Sequence, residues 1–253
     1  PPEVMSDNVT SDDLGGPHVT LHVCLTTLLV VVLSTVTIVS NVTVLCAVHL
    51  FKRLQTPTAG FVVSMATADL GVGLFMPLGL YFELTKSGVT NQVVCLLPYC
   101  SIIGLCSASL LSITAIGVDR ALSLAIHLKY TTIMTQTVAS RYICALWIYS
   151  GVIGSAPLTV SVMLESPGLR KCSWGLVDER ALQFLFYVLF CPCALTIVVC
   201  YCYIYVIART HARAIYSVEA SVQQYVTQDM KHGSRYVMTL TVTVGVFLAQ
   251  WVP

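Results

Sequence analysis

The stretch that decides the fold runs from Cys95 to Tyr130 and reads CLLPYCSIIGLCSASLLSITAIGVDRALSLAIHLKY. Residues 96–118 carry no charged side chain, which is long enough for a helix to cross the hydrocarbon core of a bilayer. The acid–base pair Asp119-Arg120 follows directly. At about 1.5 Å per helical residue, Cys95 and Asp119 would lie roughly 36 Å apart, close to the full thickness of a membrane. The stretch predicts a transmembrane helix whose two ends carry different chemistry.

Composition places the whole chain in a membrane. Its 253 residues are 56% hydrophobic and only 10% charged, with a mean hydropathy of +0.82. A soluble domain carries about 25% charged residues. The net charge of +1 does not favour nucleic-acid binding. Most of the 11 cysteines stand in apolar runs, as reduced, buried thiols do.

Apolar runs separated by short polar links predict six transmembrane helices and no soluble domain. They cover about 21–50, 58–83, 94–126, 139–163, 179–208 and 235–253. Nine basic residues fall at one set of helix ends: Lys52, Arg53, Arg120, Lys129, Arg141, Arg209, Arg213, Lys231 and Arg235. Four fall at the other: Lys86, Arg170, Lys171 and Arg180. Basic residues concentrate on the cytoplasmic side, so the amino terminus is predicted to lie outside.

Residues 1–20 are predicted to form an extracellular tail. They contain four acidic residues and the sequon Asn8-Val9-Thr10, which indicates a glycan on Asn8. A chance tripeptide in an unstructured tail is the alternative.

Asp69 stands at mid-membrane depth, where a carboxylate is costly unless it is paired or hydrated. With Asn41 and Ser109 it could hold a sodium ion or a water cluster, or make a purely structural contact.

Cys95 and Cys172 are the two cysteines expected at extracellular helix ends or loops. Because the extracellular space is oxidising, we expect a bridge between them. Cys100, about a turn and a half into the helix, is a competing partner.

Prolines inside the predicted helices, such as Pro157 and Pro192, each remove a backbone hydrogen bond and favour a kink.

Landmarks on each predicted helix occur together in one order. They are Asn41, Ala68-Asp69, Cys95 followed by Asp119-Arg120, Trp147, Pro192, and Phe247 with Trp251 and Pro253. This set resembles the rhodopsin-like (class A) G-protein-coupled receptors over about residues 20–253. The resemblance implies an all-α, seven-transmembrane bundle, of which six helices stand in this chain and the last predicted one is helix six.

The resemblance also implies a function and roles for individual residues. An outer pocket would bind an extracellular small-molecule or lipid-like ligand, and the cytoplasmic face would activate a heterotrimeric G protein and bind arrestin. Membrane lipid would surround the bundle at the plasma membrane. The implied ligand-binding residues are Ile102, Ile103, Cys106, Trp174, Phe184 and Trp251. The implied allosteric sodium site is Asp69, Ser109 and Asn41; no other cofactor is expected. The residues implied to contact the G protein are Asp119, Arg120 and Leu128. A connector below the ligand pocket would consist of Leu110, Pro192 and Phe247. The family disulfide would join Cys95 and Cys172.

Several positions depart from the family pattern. Ala121 replaces the usual tyrosine after Asp119-Arg120, and His127 replaces a proline before Leu128. No acidic partner for Arg120 is evident near Gly233, so Asp119 alone would restrain it and basal activity is expected. Gln250 replaces the cysteine that normally precedes the tryptophan of helix six.

The sequence makes one class of ligand unexpected but does not identify the ligand. Ile102 stands where amine receptors keep an aspartate, so an amine transmitter is not expected. Residues 41–73 resemble adenosine receptors, and other features resemble lipid-amide and orphan receptors of the same branch. A non-signalling scaffold or heteromer partner is the first alternative, and a six-helix transporter the second. An enzyme is not expected, because no nucleophile–base pair or phosphate-binding loop is visible.

Overall fold

The computed structural model describes residues 17–52, 55–85, 92–163 and 179–219. Its elements in chain order are α1 (Pro17–Leu50), α2 (Ala59–Thr85), α3 (Gln92–Ala125), α4 (His127–Ile133), α5 (Gln136–Met163), α6 (Glu179–Leu185), a π-helical turn (Phe186–Phe190) and α7 (Cys191–Glu219). No strand occurs within these ranges, which confirms the predicted all-α class.

Four helical segments among the described residues are long and apolar enough to cross a membrane. They are Leu21–Leu50, Ala59–Thr85, Val93–Ala125 and Leu182–Thr210. The predicted span 139–163 falls in α5, which is not among the four over the described residues. The side chains of residue 158 and residues 160–163, near the end of α5, lie outside the described set. The predicted span 235–253 lies outside the described residues.

α3 is the central helix of the described bundle. It packs against α2, α5 and α7, and its Asp119 end contacts α4. This end is the one predicted to face the cytoplasm, and it is called the inner end below. Of its apolar span, 50% is buried, against 6% of the α1 span. Because three neighbours surround it, α3 presents three faces, each with its own packing chemistry.

The face toward α2 combines glycines with hydroxyl groups. Leu105 fills the space at Gly71, where a Cβ would lie 2.8 Å from its Cδ1 atom. Closer to the Asp119 end of α3, the hydroxyls of Ser64 on α2 and Ser112 on α3 lie 3.0 Å apart. Trp147 of α5 donates its indole N–H to Ser64 over 3.0 Å. One small polar cluster thereby joins three helices in an apolar setting.

The face toward α5 is a close backbone crossing. A Cβ on Gly154 would lie 2.7 Å from Gly104 Cα and 2.9 Å from the Cys100 carbonyl oxygen. Both obstacles are backbone atoms of α3, which cannot move aside as a side chain can. Glycine at 154 is therefore a requirement of the α3–α5 packing.

The face toward α7 is an apolar cluster. Leu110 of α3 packs with Leu189, Cys193 and Ile197, all of them buried. A widened turn precedes this contact: the Cys191 N–H bonds to the Phe186 carbonyl, five residues back. Pro192 follows at once and has no N–H to donate, which favours such local rearrangement.

Candidate functional site

The inner end of α3 holds a buried carboxylate. Asp119 is 2% exposed, and the Tyr130 hydroxyl donates to its Oδ1 atom. In one straight helix these residues would lie about 16 Å apart. They meet because helical backbone breaks at Ile126, where φ is −127° and ψ is 42°, and α4 starts in a new direction.

Tyr130 also receives a contact from Thr58, the residue just before α2. The Thr58 side chain hydrogen-bonds to it, so one phenol links α3, α4 and the start of α2. Burial raises the pKa of Tyr130, and the bond to Asp119 raises the pKa further, although Thr58 and Arg120 oppose this. The phenol is therefore protonated at neutral pH, as a donor to Asp119 must be.

Arg120 is exposed beside this cluster. Within the part of the chain that the structure describes, it forms no ion pair with Asp119, whose Oδ2 atom lacks a hydrogen-bond partner. The expected Asp119–Arg120 pair is thus replaced by the Asp119–Tyr130 bond. Two tyrosines, Tyr130 of α4 and Tyr201 of α7, are electrostatically coupled to Arg120, and Tyr201 packs beside Gly117. Leu128, the other predicted G-protein contact, lies in α4, and its side chain is outside the described set.

Removing the Tyr130 hydroxyl should weaken this inner cluster. Tyr130→Phe leaves the buried Asp119 carboxylate without a donor, which costs about 1–3 kcal/mol. We expect the melting temperature of the purified protein to fall by several degrees. Tyr142→Phe is the matched control, because Tyr142 is 62% exposed on α5. Equal melting temperatures for the two variants would show that the Tyr130 bond does not stabilise the fold.

Asp69, the carboxylate predicted at mid-membrane depth on α2, has two neighbours on α3. The Ser109 side chain hydrogen-bonds to Asp69, and Cys106 lies within its electrostatic reach. A carboxylate and a hydroxyl are oxygen donors, the kind that hard cations take. Asn41 behaves differently, since its amide donates to the Thr37 carbonyl of its own helix over 2.9 Å. The sodium site stays a prediction, with Asp69 and Ser109 brought together.

The predicted ligand-binding residues of α3 fall on two faces. Ile102 packs over Gly79 of α2, 3.5 Å from the position of a Cβ there, and Cys106 lies near Asp69. Ile103 is buried in an apolar cluster with Tyr99 and residues of α6. Phe184 on α6 is 66% exposed and is not part of that cluster.

Several other predicted residues can be placed only in part. Cys95 is disulfide-bonded, while its predicted partner Cys172 lies outside the described residues, as do Asn8, Trp174, Phe247 and Trp251. In the predicted connector, Leu110 shares an apolar cluster with the buried Cys193, while Pro192 beside it is exposed. The reason is geometric: neighbouring helical residues point about 100° apart, and Cys193 occupies the inward position.

The central helix α3 thus has a polar inner end at Asp119 and an apolar outer half, and the carboxylate of Asp69 on α2 lies beside its middle. The sequence profile described as "7 transmembrane receptor (rhodopsin family)" matches residues 40–253. The chain belongs to the rhodopsin family of seven-transmembrane receptors. This confirms the family resemblance and the predicted membrane bundle, and the relatives below are receptors, in agreement with the prediction that the chain is not an enzyme.

Curated receptors resemble this receptor over different shares of its length. The adenosine receptor A2b of Homo sapiens is 36% identical over 127 residues, which are 50% of this chain and 38% of that protein. Trace amine-associated receptor 13c of Danio rerio is 28% identical over 264 residues, 97% of this chain and 74% of that protein. Trace amine-associated receptor 6 of Mus musculus is 25% identical over 84% of this chain and 65% of that protein. The chain thus spans less than half the length of the adenosine receptors that it matches.

Sequence reasoning missed two polar contacts of the receptor. Tyr130 ends the stretch that decides the fold, yet its bond to Asp119 depends on the backbone break at Ile126, for which no glycine or proline gives a signal. The second contact joins Glu83 and Tyr99 at the outer end of the bundle. An acidic residue at the last turn of an apolar run was the available signal for it.

Proposed function

We propose that the receptor binds an extracellular small molecule in the outer half of its bundle and activates a heterotrimeric G protein at its inner face. One observation carries the second half of this proposal: Arg120 is exposed at the inner end of α3 and makes no ion pair with Asp119 within the described residues. A guanidinium keeps its charge and offers five fixed donors, which suits docking against carbonyl oxygens at the end of a partner helix. Relatives named as adenosine and trace amine-associated receptors support a small-molecule ligand.

Basal activity follows from the same observation. The carboxylate that was expected to restrain Arg120 is bonded to Tyr130 instead. Membranes that contain the full-length receptor should therefore exchange nucleotide on at least one G protein of a panel without added ligand. The comparison is with membranes of the same cells lacking the receptor. Equal exchange rates in both, across the panel, would contradict basal activity.

We further propose that the amino terminus and the Cys95 end of α3 face the outside of the plasma membrane, with Cys172 as the disulfide partner. The disulfide on Cys95 supports this, because such bonds persist in oxidising compartments. The prevalence of basic residues at the opposite helix ends, Lys52, Lys129, Arg141 and Arg209 among them, supports it too.

Labelling of thiols on intact cells tests both the sidedness and the pairing. A membrane-impermeant maleimide should label Cys95 and Cys172 only after mild reduction, since the bond hides both thiols. In Cys95→Ser, Cys172 should become reactive without reduction. Cys144→Ser, which removes a free cysteine of α5, is the control. Labelling that requires permeabilised cells would place this end in the cytoplasm and contradict the proposal.

A non-signalling partner receptor is the second candidate. Ala121 and His127 depart from the family pattern at the inner end, which favours it. Such a protein would show no exchange on any G protein, with or without ligand, while reaching the cell surface normally.

A further inference from the structure

The first turns of α1 bring two histidines into helical register. The predicted span began at about residue 21, whereas helical backbone begins at Pro17 and continues to Leu50. His18 and His22 therefore stand four residues apart in one helix. Four residues correspond to a rise of about 6 Å and to about 40° beyond one full rotation. Positions 18 and 22 are thus neighbours on one face of α1.

These two positions bracket the outer edge of the apolar part of α1. The segment that is long and apolar enough to cross a membrane starts at Leu21. His22 is exposed, and its backbone carbonyl accepts a hydrogen bond from the Thr26 hydroxyl over 2.9 Å. Within the described residues, no hydrogen bond or ion pair engages the His22 side chain. This end of α1 is the one predicted to face the outside, so His22 meets extracellular water.

Two imidazoles at this spacing have the chemistry of a metal site. A neutral imidazole offers one ring nitrogen with a lone pair, and zinc binds such nitrogens at about 2.0–2.1 Å. Helices that bind zinc through the pattern His-Glu-x-x-His use the same separation of four residues. Two protein ligands leave the other coordination positions to water. Magnesium and calcium, by contrast, take oxygen ligands.

Competing metal ligands lie elsewhere on α1. Cys24 is exposed, but it stands two residues after His22 and about 160° around the helix. Cys46 and His49 are exposed near the opposite end, three residues apart. In the part of the chain that the structure describes, no group of three or more histidine, cysteine or acidic side chains could hold a metal. A thiol must release a proton to bind zinc, and the cation Lys52 follows His49 closely, so the imidazole pair is the better site.

We propose that His18 and His22 bind a zinc ion at the outer end of α1. The ion would join the first two turns of the helix. Since 6% of the α1 span is buried, such a link adds order where packing within the bundle adds little. The site lies outside the proposed ligand pocket and needs no G protein, so this inference is independent of the proposed function.

Calorimetric titration of the purified full-length receptor with zinc chloride tests the site. His22→Ala removes one ligand and should weaken zinc binding by about tenfold or more, at least the cost of losing a group that only supports a ligand. His49→Ala is the matched control, because it removes an exposed imidazole from the other end of the same helix. Magnesium chloride should not displace the zinc. Equal zinc affinity of His22→Ala and wild type overturns the proposal, and so does a loss of binding in His49→Ala alone.

A displaced histidine tests whether the shared face matters. His18→Ala should weaken zinc binding as His22→Ala does. Adding Thr20→His to His18→Ala restores the number of histidines, but position 20 lies about 160° around α1 from position 22, so affinity should stay low. Adding Val19→His instead puts an imidazole three residues before His22, on a neighbouring position of the same face, and should restore much of the affinity. Equal affinities of the two double variants would overturn the proposed geometry.

Discussion

Replacing Arg120 with alanine should reduce basal nucleotide exchange to the level of membranes without receptor. Arg120 is the exposed cation at the inner end of α3, and alanine removes both its charge and its five donors. Asp119 keeps its bond to Tyr130 in this variant, so the fold around the site is retained. Surface expression should therefore stay close to wild type while exchange disappears.

Two comparisons make this result specific. Arg141→Ala removes an exposed arginine near the start of α5, on the same side of the membrane, and should preserve basal exchange. Arg120→Lys keeps the charge without the planar fork and should restore only part of the exchange. An Arg120→Ala receptor that is as active as Arg141→Ala would contradict the proposed docking role.

The largest expected effect on folding is at Gly154. A Cβ at this position would lie 2.7 Å from Gly104 Cα and 2.9 Å from the Cys100 carbonyl oxygen, so α5 would have to move away from α3. Overpacking of a tight interior costs about 1–3 kcal/mol or more. Gly154→Val, which adds further bulk at the crossing, should abolish surface expression, and Gly154→Ala should reduce it strongly.

Gly151 provides the control within the same helix. A Cβ there has no atom within 4 Å, and alanine is the better helix former, so Gly151→Ala should be neutral or slightly stabilising. Gly104→Ala should rank between the two, because its Cβ would lie 3.3 Å from the Ser150 carbonyl oxygen. Surface expression measured by flow cytometry gives the ranking. Gly154→Ala that expresses like Gly151→Ala would contradict the close crossing.

Features that depend on one helix at a time could be predicted from the sequence. The uncharged run after Cys95 predicted α3 and its charged inner end, because bilayer thickness fixes the length of an apolar span. Asp69 was predicted as a functional residue from its depth alone, and Ser109 of α3 does contact it. Each of these inferences needs only helical rise and the cost of burying charge.

Apart from the Asp69–Ser109 contact, the contacts between helices were beyond the same reasoning. Nothing in the sequence indicates that Gly154 meets Gly104 instead of a lipid chain, since glycine is common in membrane helices. Asn41 was expected beside Asp69; its amide donates to the Thr37 carbonyl of its own helix, and its place in the sodium site stays a prediction. The Asp119–Tyr130 bond required a change of chain direction, whose local dihedral angles follow from packing. Helix rotation and crossing geometry decide such contacts, and they are properties of the assembled bundle.

The π-helical turn at Phe186–Phe190 limits where chimeras of this receptor with its relatives can be joined. Such a turn accommodates one extra residue, and each residue of a regular helix turns the chain by 100°. A chimera that joins this α7 to a regular outer segment would rotate Leu182 and Leu185 away from the α3 cluster on which they now pack. Segment exchanges should therefore carry residues 179–197 as one block, with crossover points placed outside it.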